Sequence, residues 1–251
     1  LAWDQLPTVA ASQVIGFLAA VISAVTPAGL GVRDTAFAWA VKTALPSGRF
    51  GVGAVMAISG AVAATLVTNG VSAPIAVLAA LGAGLLCGLW NGILVTLLDI
   101  QPIIATLVLM VAGRGLAQLI TEGYIVTFTD PLLIFIGTGS FLGFPMPVII
   151  AAVLMIAATL IVRRTALGLL IEAVGVNRSA ARFAGLKANA LLLIVYTFAG
   201  FCAAVSGLIV AGDIRGADAN NAGLWLELDA ILAVVIGGTS LSGGVGSIVG
   251  T

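Results

Sequence analysis

The chain holds 251 residues, 61% of them hydrophobic and only 8% charged, with ten Lys and Arg balanced by ten Asp and Glu. A soluble domain carries about 25% charged residues, so this composition, with a mean hydropathy of +1.24, excludes a soluble enzyme and identifies an integral membrane protein. Zero net charge leaves no basic field for nucleic acid, and the absence of His excludes a Ser-His-Asp triad, a His-ligated metal and imidazole proton transfer.

Residues 5–32 carry no charge, enough for one crossing at about 20 residues per span. Residues 50–98 are also uncharged and hold two crossings, broken at Thr68-Asn69-Gly70, a turn signal between apolar runs. Further apolar segments run from Pro102 to Ile120, Met146 to Val162 and Ala188 to Ala211, the first interrupted only by Arg114. After Asp229, a short run from Ala230 to Ile236 dissolves into the Gly-rich Gly237–Gly244. The expected fold is therefore an all-α polytopic membrane protein of about six crossings plus a half-helix ending in a Gly-rich break. Leu1 stands where a start would place Met, and Thr251 falls within a Gly-rich stretch, so the segment reads as cut at both ends.

Basic residues orient the spans. Eight of the ten Lys and Arg lie in two loops, 33–50 and 163–187, which the threading puts on one side, the cytoplasm. The opposite side receives Asp4, Glu122, Asp130, Asp213 and Asp218, with Arg215 as its basic residue. Gly84, Gly88 and Gly92 recur every fourth residue, as do Gly200-Ala204 and Ala203-Gly207-Ala211. Such seams let membrane helices touch backbone to backbone. Cys87 and Cys202, both within apolar runs, read as small packing residues.

Polar groups at membrane depth are costly and therefore informative. Asn91 and Thr106 lie within spans and Gln101 immediately precedes one; for Asn91 and Thr106 an interhelical hydrogen bond and a substrate contact are both open readings. Arg114 either snorkels to the outer headgroups or lines a path. A half-helix stopping at a Gly-rich break exposes backbone groups, which a membrane tolerates only inside protein or beside a cavity. No G-x-x-x-x-G-K-[ST] occurs, so the break is no nucleotide site and any ATP must be bound by another chain.

In the loop 163–187, Asn177 is placed to cap a two-turn helix with Arg178 to Ala184 as its body and Gly185 as its stop. Ala180, Phe183 and Ala184 share one face, and Arg178 and Arg182 another. A helix this short is poorly stable alone and is built to dock; the plainer reading is a solvated topology anchor.

These residues carry a resemblance. Val52-Gly-Ala-Val-Met-Ala-Ile58, Gly88-Leu-Trp-Asn-Gly-Ile93, Gln101-Pro-Ile-Ile-Ala-Thr-Leu107, Glu172-Ala-Val-Gly-Val-Asn177, Ala180-Ala181 with Ala184-Gly185, and the stretch Asp213 to Ser242 resemble the permease subunits of bacterial sugar ABC importers. The likeness is to the ribose/xylose/galactose group and, within it, to galactofuranose permeases. It covers about 200 residues, making 51–251 an importer permease domain truncated at its C-terminus, since the family continues past the Gly-rich break. The resemblance implies an inner-membrane transporter subunit rather than an enzyme, without a cofactor of its own. A cytoplasmic ATP-binding subunit would carry ATP and Mg, a periplasmic sugar-binding protein would deliver the substrate, and a second permease would complete a dimer within the lipid. The ATPase-coupling residues would be Glu172, Gly175, Asn177, Arg178, Arg182, Phe183 and Gly185. Asn91, Gln101, Thr106, Glu227 and Asp229 would line the path of a monosaccharide such as galactofuranose, because amides and carboxylates suit multidentate recognition of hydroxyls.

Residues 1–50 read differently. Where such permeases have Gly-Gly-Ile-Asp-Leu-Ser, this chain has Pro46-Ser-Gly-Arg-Phe-Gly51, and Thr26-Pro-Ala-Gly-Leu-Gly-Val-Arg-Asp34 resembles the membrane domain of lysylphosphatidylglycerol synthase/flippase-type proteins. A lipid flippase or synthase-like protein, or a non-functional fusion fragment, is therefore the alternative to an importer.

Overall fold

The computed structural model describes residues 51–224, except Leu142 and the side chains of Ile103, Arg163, Glu172 and Val176. The expected span at 5–32, the half-helix, the Gly-rich break and two path candidates, Glu227 and Asp229, lie outside the described residues. In chain order the elements are α1 (Val52–Thr68), α2 (Ala73–Thr96), α3 (Pro102–Ile120), β1 (Val126–Thr127), α4 (Pro131–Thr138), β2 (Ser140–Phe141), β3 (Phe144–Pro145), α5 (Met146–Arg164), α6 (Ala166–Val176), α7 (Arg178–Phe183), α8 (Ala188–Ile214) and β4 (Gly216–Ala217).

Local chemistry sets the boundaries. Helices α2, α3, α4 and α5 each begin with Pro in the first two positions, where the missing N–H costs nothing. The Asp130 carboxylate caps α4 by accepting from the Leu132 amide at 2.8 Å. Helix α1 ends at the expected turn, with Gly70 at φ +82, a conformation open to Gly.

Five of the six expected crossings fall on described helices. Of these, α2 at 24 residues and α8 at 27 are long and apolar enough to cross a membrane by themselves. Helix α1 has 17 residues, which at about 1.5 Å per residue rise about 26 Å, short of a hydrocarbon core about 30 Å thick. The Ile104–Ile120 part of α3 is likewise a shorter apolar helix. Helix α5 turns sharply into α6 at Thr165, whose backbone is extended (φ −116, ψ 157). The pair passes for a span only when its two arms are taken together.

Helices α2 and α8 form the centre. A Cβ built on Gly84 would lie 2.7 Å from the Gly200 carbonyl oxygen, and one on Gly88 would lie 2.5 Å from that of Tyr196. No side chain fits between the two backbones. Helix α1 joins the same centre, because a Cβ on Gly207 would lie 2.5 Å from the Met56 carbonyl oxygen and would also collide with the Ser59 hydroxyl. Val52, Val55, Met56, Leu109, Ala203 and Val210 fill the space among α1, α3 and α8. At one end, Gly137 of α4 abuts Gly212 of α8. Leu78, Leu86 and Trp90 of α2, and Val111 and Leu119 of α3, point outward and are exposed, as suits side chains in contact with lipid tails.

The two ends of the bundle sort the loops. Strand β1 pairs antiparallel with β4, Val126 opposite Ala217 and Thr127 opposite Gly216, which joins the α3–α4 connection to the segment after α8. At the other end, Asn189 donates to the Thr96 carbonyl at 3.1 Å, joining the end of α2 to the start of α8. This is the pairing of loops that the threading requires, although the short ladders β1–β4 and β2–β3 go beyond the all-helical expectation.

Replacing Gly88 tests the seam. Gly88→Ala forces the α2 and α8 backbones apart and should destabilise the fold by about 1–3 kcal/mol, measured as reversible unfolding of the chain in mixed micelles. A Cβ on Gly82 meets nothing within 4 Å, so Gly82→Ala should be neutral or stabilising by up to about 1 kcal/mol. Equal effects at the two positions would contradict the packing.

Candidate functional site

The end of the bundle where α8 begins is built around α7. The Asn177 side-chain Oδ1 accepts from the Ala180 amide at 3.0 Å, capping the helix, and Gly185 just beyond it sits at φ +83, where a β-branched residue would be strained. Ala181 faces inward and packs with Val174 of α6 and Ala188 and Leu191 of α8. Ala180, Phe183 and Ala184 face outward, and Phe183 is 92% exposed. Glu172 and Gly175 lie on α6, the helix on which α7 rests.

The two arginines do not extend freely. Arg178 donates through Nη2 to Asn189 Oδ1 at 3.1 Å, and Arg182 Nη2 donates to the same oxygen at 2.7 Å. Arg178 also pairs with Asp99 at 3.7 Å. Asp99 is 81% exposed, so this pair orients more than it stabilises. Asp99 and Asn189 were not singled out from the sequence. Their signals were an isolated acid beyond α2 and an amide in the first turn of an apolar helix.

At membrane depth, Asn91 and Thr106 are both buried and both flank the start of α1. A Cβ on Gly51 would lie 3.4 Å from Asn91 Nδ2 and 3.6 Å from the Thr106 carbonyl. The Thr106 hydroxyl donates to the Pro102 carbonyl at 3.0 Å, whereas Asn91 Oδ1 is buried with no hydrogen-bond partner. Gln101 stands apart from this pair, exposed at the N-terminus of α3.

The opposite end of the bundle is a polar clasp. The Arg114 guanidinium donates to the carbonyls of Asn220 and Ala222, and Gln118 Nε2 donates to Asn220 Oδ1. Arg114 thus binds protein carbonyls instead of reaching for headgroups. Asp218 Oδ1 accepts from the amides of Asn220 at 2.9 Å and Asn221 at 3.1 Å. Partial burial pushes the Asp218 carboxyl upward. The hydrogen bonds from Asn221 and Asn220 and the charge of Arg114 outweigh it and hold the group below its ordinary value. A small cavity of about 10 Å³, lined by Met56, Gly60, Gly207, Val210 and Asp218 among others, lies beneath this clasp. It is smaller than the roughly 300 Å³ at which small-molecule pockets begin.

Residues 47–251 match a family described as the branched-chain amino acid transport system / permease component. The chain is 62% identical over 193 residues to the galactofuranose transporter permease protein of Escherichia coli (strain K12), covering 77% of this chain and 57% of that protein. It is 44% identical over 205 residues to the fructose import permease protein of Bifidobacterium longum, covering 80% and 57%. It is 42% identical over 204 residues to the ribose import permease protein of Escherichia coli (strain K12), covering 80% and 63%. The chain thus spans about three-fifths of the length of these relatives. No solved structure matches it.

The Asp218 turn gives a pH test. A depressed carboxyl contributes stability above its ordinary value of 3.8 and loses it as pH falls through the lower folded value. A spin label on Leu224→Cys should stay immobile from neutral pH to about 3.8 and loosen only below. Adding Asp218→Ala should make it mobile at pH 7 as well. Mobility independent of both acid and substitution would contradict the turn.

Proposed function

The chain belongs to the permease-component family of branched-chain amino acid transport systems, and from that premise we propose that it is the membrane-spanning subunit of an ATP-driven bacterial importer for a monosaccharide such as galactofuranose. The names of its relatives, which import galactofuranose, fructose and ribose, supply the substrate class. The family match over residues 47–251 favours this reading over a lipid flippase, whose resemblance lies in residues outside the described part.

One observation carries the coupling role. A capped helix at the inner end, α7, presents a 92% exposed aromatic side chain away from the bundle. An aromatic so placed is the kind of side chain that anchors an interface once a partner covers it. The partner is a cytoplasmic ATP-binding subunit, since the sequence has no phosphate-binding lysine loop. ATP binding and hydrolysis on that subunit drive alternating access by moving α7 against the bundle. A periplasmic sugar-binding protein delivers the sugar at the outer end, and a second permease completes the pathway in the bacterial inner membrane. Within it, the unpartnered Asn91 carbonyl accepts a sugar hydroxyl, with Thr106, Gln101, Glu227 and Asp229 as further path residues. Residues 51–251 form the permease domain. Arg178 and Arg182 position α7 from within the chain, leaving Phe183 as the knob that enters the ATPase.

Truncating a buried aromatic at the centre of an interface costs about 2 kcal/mol or more, roughly thirtyfold in affinity. Phe183→Ala should therefore abolish copurification with the ATP-binding subunit and sugar uptake while leaving membrane insertion intact. Wild-type partner binding and uptake in this variant would reduce the loop to a topology anchor.

A further inference from the structure

We infer that Asn189 is a positioning residue that fastens α7 to the inner ends of α2 and α8 together, so that a displacement of the docking helix reaches both central helices. The inference rests on the proposed coupling role of α7 and adds to it the link by which motion leaves that helix. Asn189 lies in the first turn of α8. Its Oδ1 accepts from Arg178 and Arg182 at 3.1 and 2.7 Å, and its Nδ2 donates to the Thr96 carbonyl at 3.1 Å. The amide orientation follows from the chemistry around it, since guanidinium groups only donate and a carbonyl only accepts. Thr96 is the last residue of α2, so its carbonyl is one of those a helix C-terminus leaves without an intrahelical donor. One carboxamide thereby joins three helices.

The surroundings define what the link adds. Without Asn189, α7 would still rest on α6 and α8 through Ala181, Val174 and Leu191. Its connection to α2 would shrink to the solvent-exposed Arg178–Asp99 pair at 3.7 Å, a weak tether. With Asn189, α7 grips α2 and α8 at one point. From Gly84 to Gly92 those helices are in backbone contact, so neither slides without the other. The carboxamide accepts from the two cations and donates to the carbonyl at once. Aspartate keeps the arginines and loses the bond to Thr96; alanine loses both.

The test has two arms. First, spin labels on Ser179→Cys and Leu97→Cys, both exposed positions, are placed in the chain with Cys87 and Cys202 replaced by Ala. They should give a narrow distance distribution, and Asn189→Asp should broaden it. Second, in the full permease assembled with its ATP-binding subunit in vesicles, Asn189→Asp and Asn189→Ala should copurify with that subunit as wild type does. Sugar imported per ATP should fall by about tenfold or more. Asn189→Gln, which retains both functional groups, should recover part of the loss. An unchanged distance distribution or an unchanged sugar-to-ATP ratio in Asn189→Asp overturns the inference. If wild type itself neither binds the ATPase nor imports sugar, the importer reading falls. The distance arm then still decides whether Asn189 ties α7 to α2.

Discussion

Where Gly88 of α2 meets Gly200 of α8, nothing but backbone separates the two helices. In a bilayer, lipid tails are as apolar as leucine, so burying apolar surface gives helices little reason to associate. Close van der Waals contact supplies the reason, and it requires residues without bulk. Gly84, Gly88 and Gly92 on one side and Gly200 and Ala204 on the other meet that requirement, and Gly207 extends it to α1. The rest hangs from this contact: α4 packs on the far end of α8 through Gly137 and Gly212, and α7 is fastened to the near ends of the same two helices.

Most polar side chains in this apolar setting are satisfied locally. The hydroxyls of Ser59, Thr65, Thr96, Thr106 and Thr197 each donate to a carbonyl one turn back in their own helix, a bond available wherever Ser or Thr sits in a helix. These residues cost little in the membrane. Asn91 has no such local solution: its Oδ1 is buried and unbonded. Buried polar atoms without partners are rare in native folds and call for a ligand or function, which is why Asn91 leads the proposed path. Thr106, a few ångströms away, has a bond of its own.

Features that depend on near neighbours in the chain were legible from the sequence. The turn at Thr68-Asn69-Gly70, the starts of the proline-led helices and the capped two-turn helix between Asn177 and Gly185 all follow from residues within one turn of each other. The glycine repeats announced the seam because their four-residue spacing is itself a helical face. Contacts that span the chain were not legible. Asn189 and Thr96 are 93 residues apart, Arg114 and Asn220 are 106 apart, and no local pattern pairs an amide with a distant carbonyl. The arginines of α7 looked available for a partner, and the fold turns both toward Asn189, 7 and 11 residues further along the chain.

Hydrogen–deuterium exchange of the chain in lipid nanodiscs tests the central contact most directly. If α2 and α8 are locked backbone to backbone, amides of residues 84–96 and 193–207 should exchange last among the described residues, and together, as one cooperative unit. Amides of α3, whose Val111 and Leu119 face is exposed, should exchange earlier. Exchange of α2 and α8 at unrelated rates, or no slower than α3, would contradict the account.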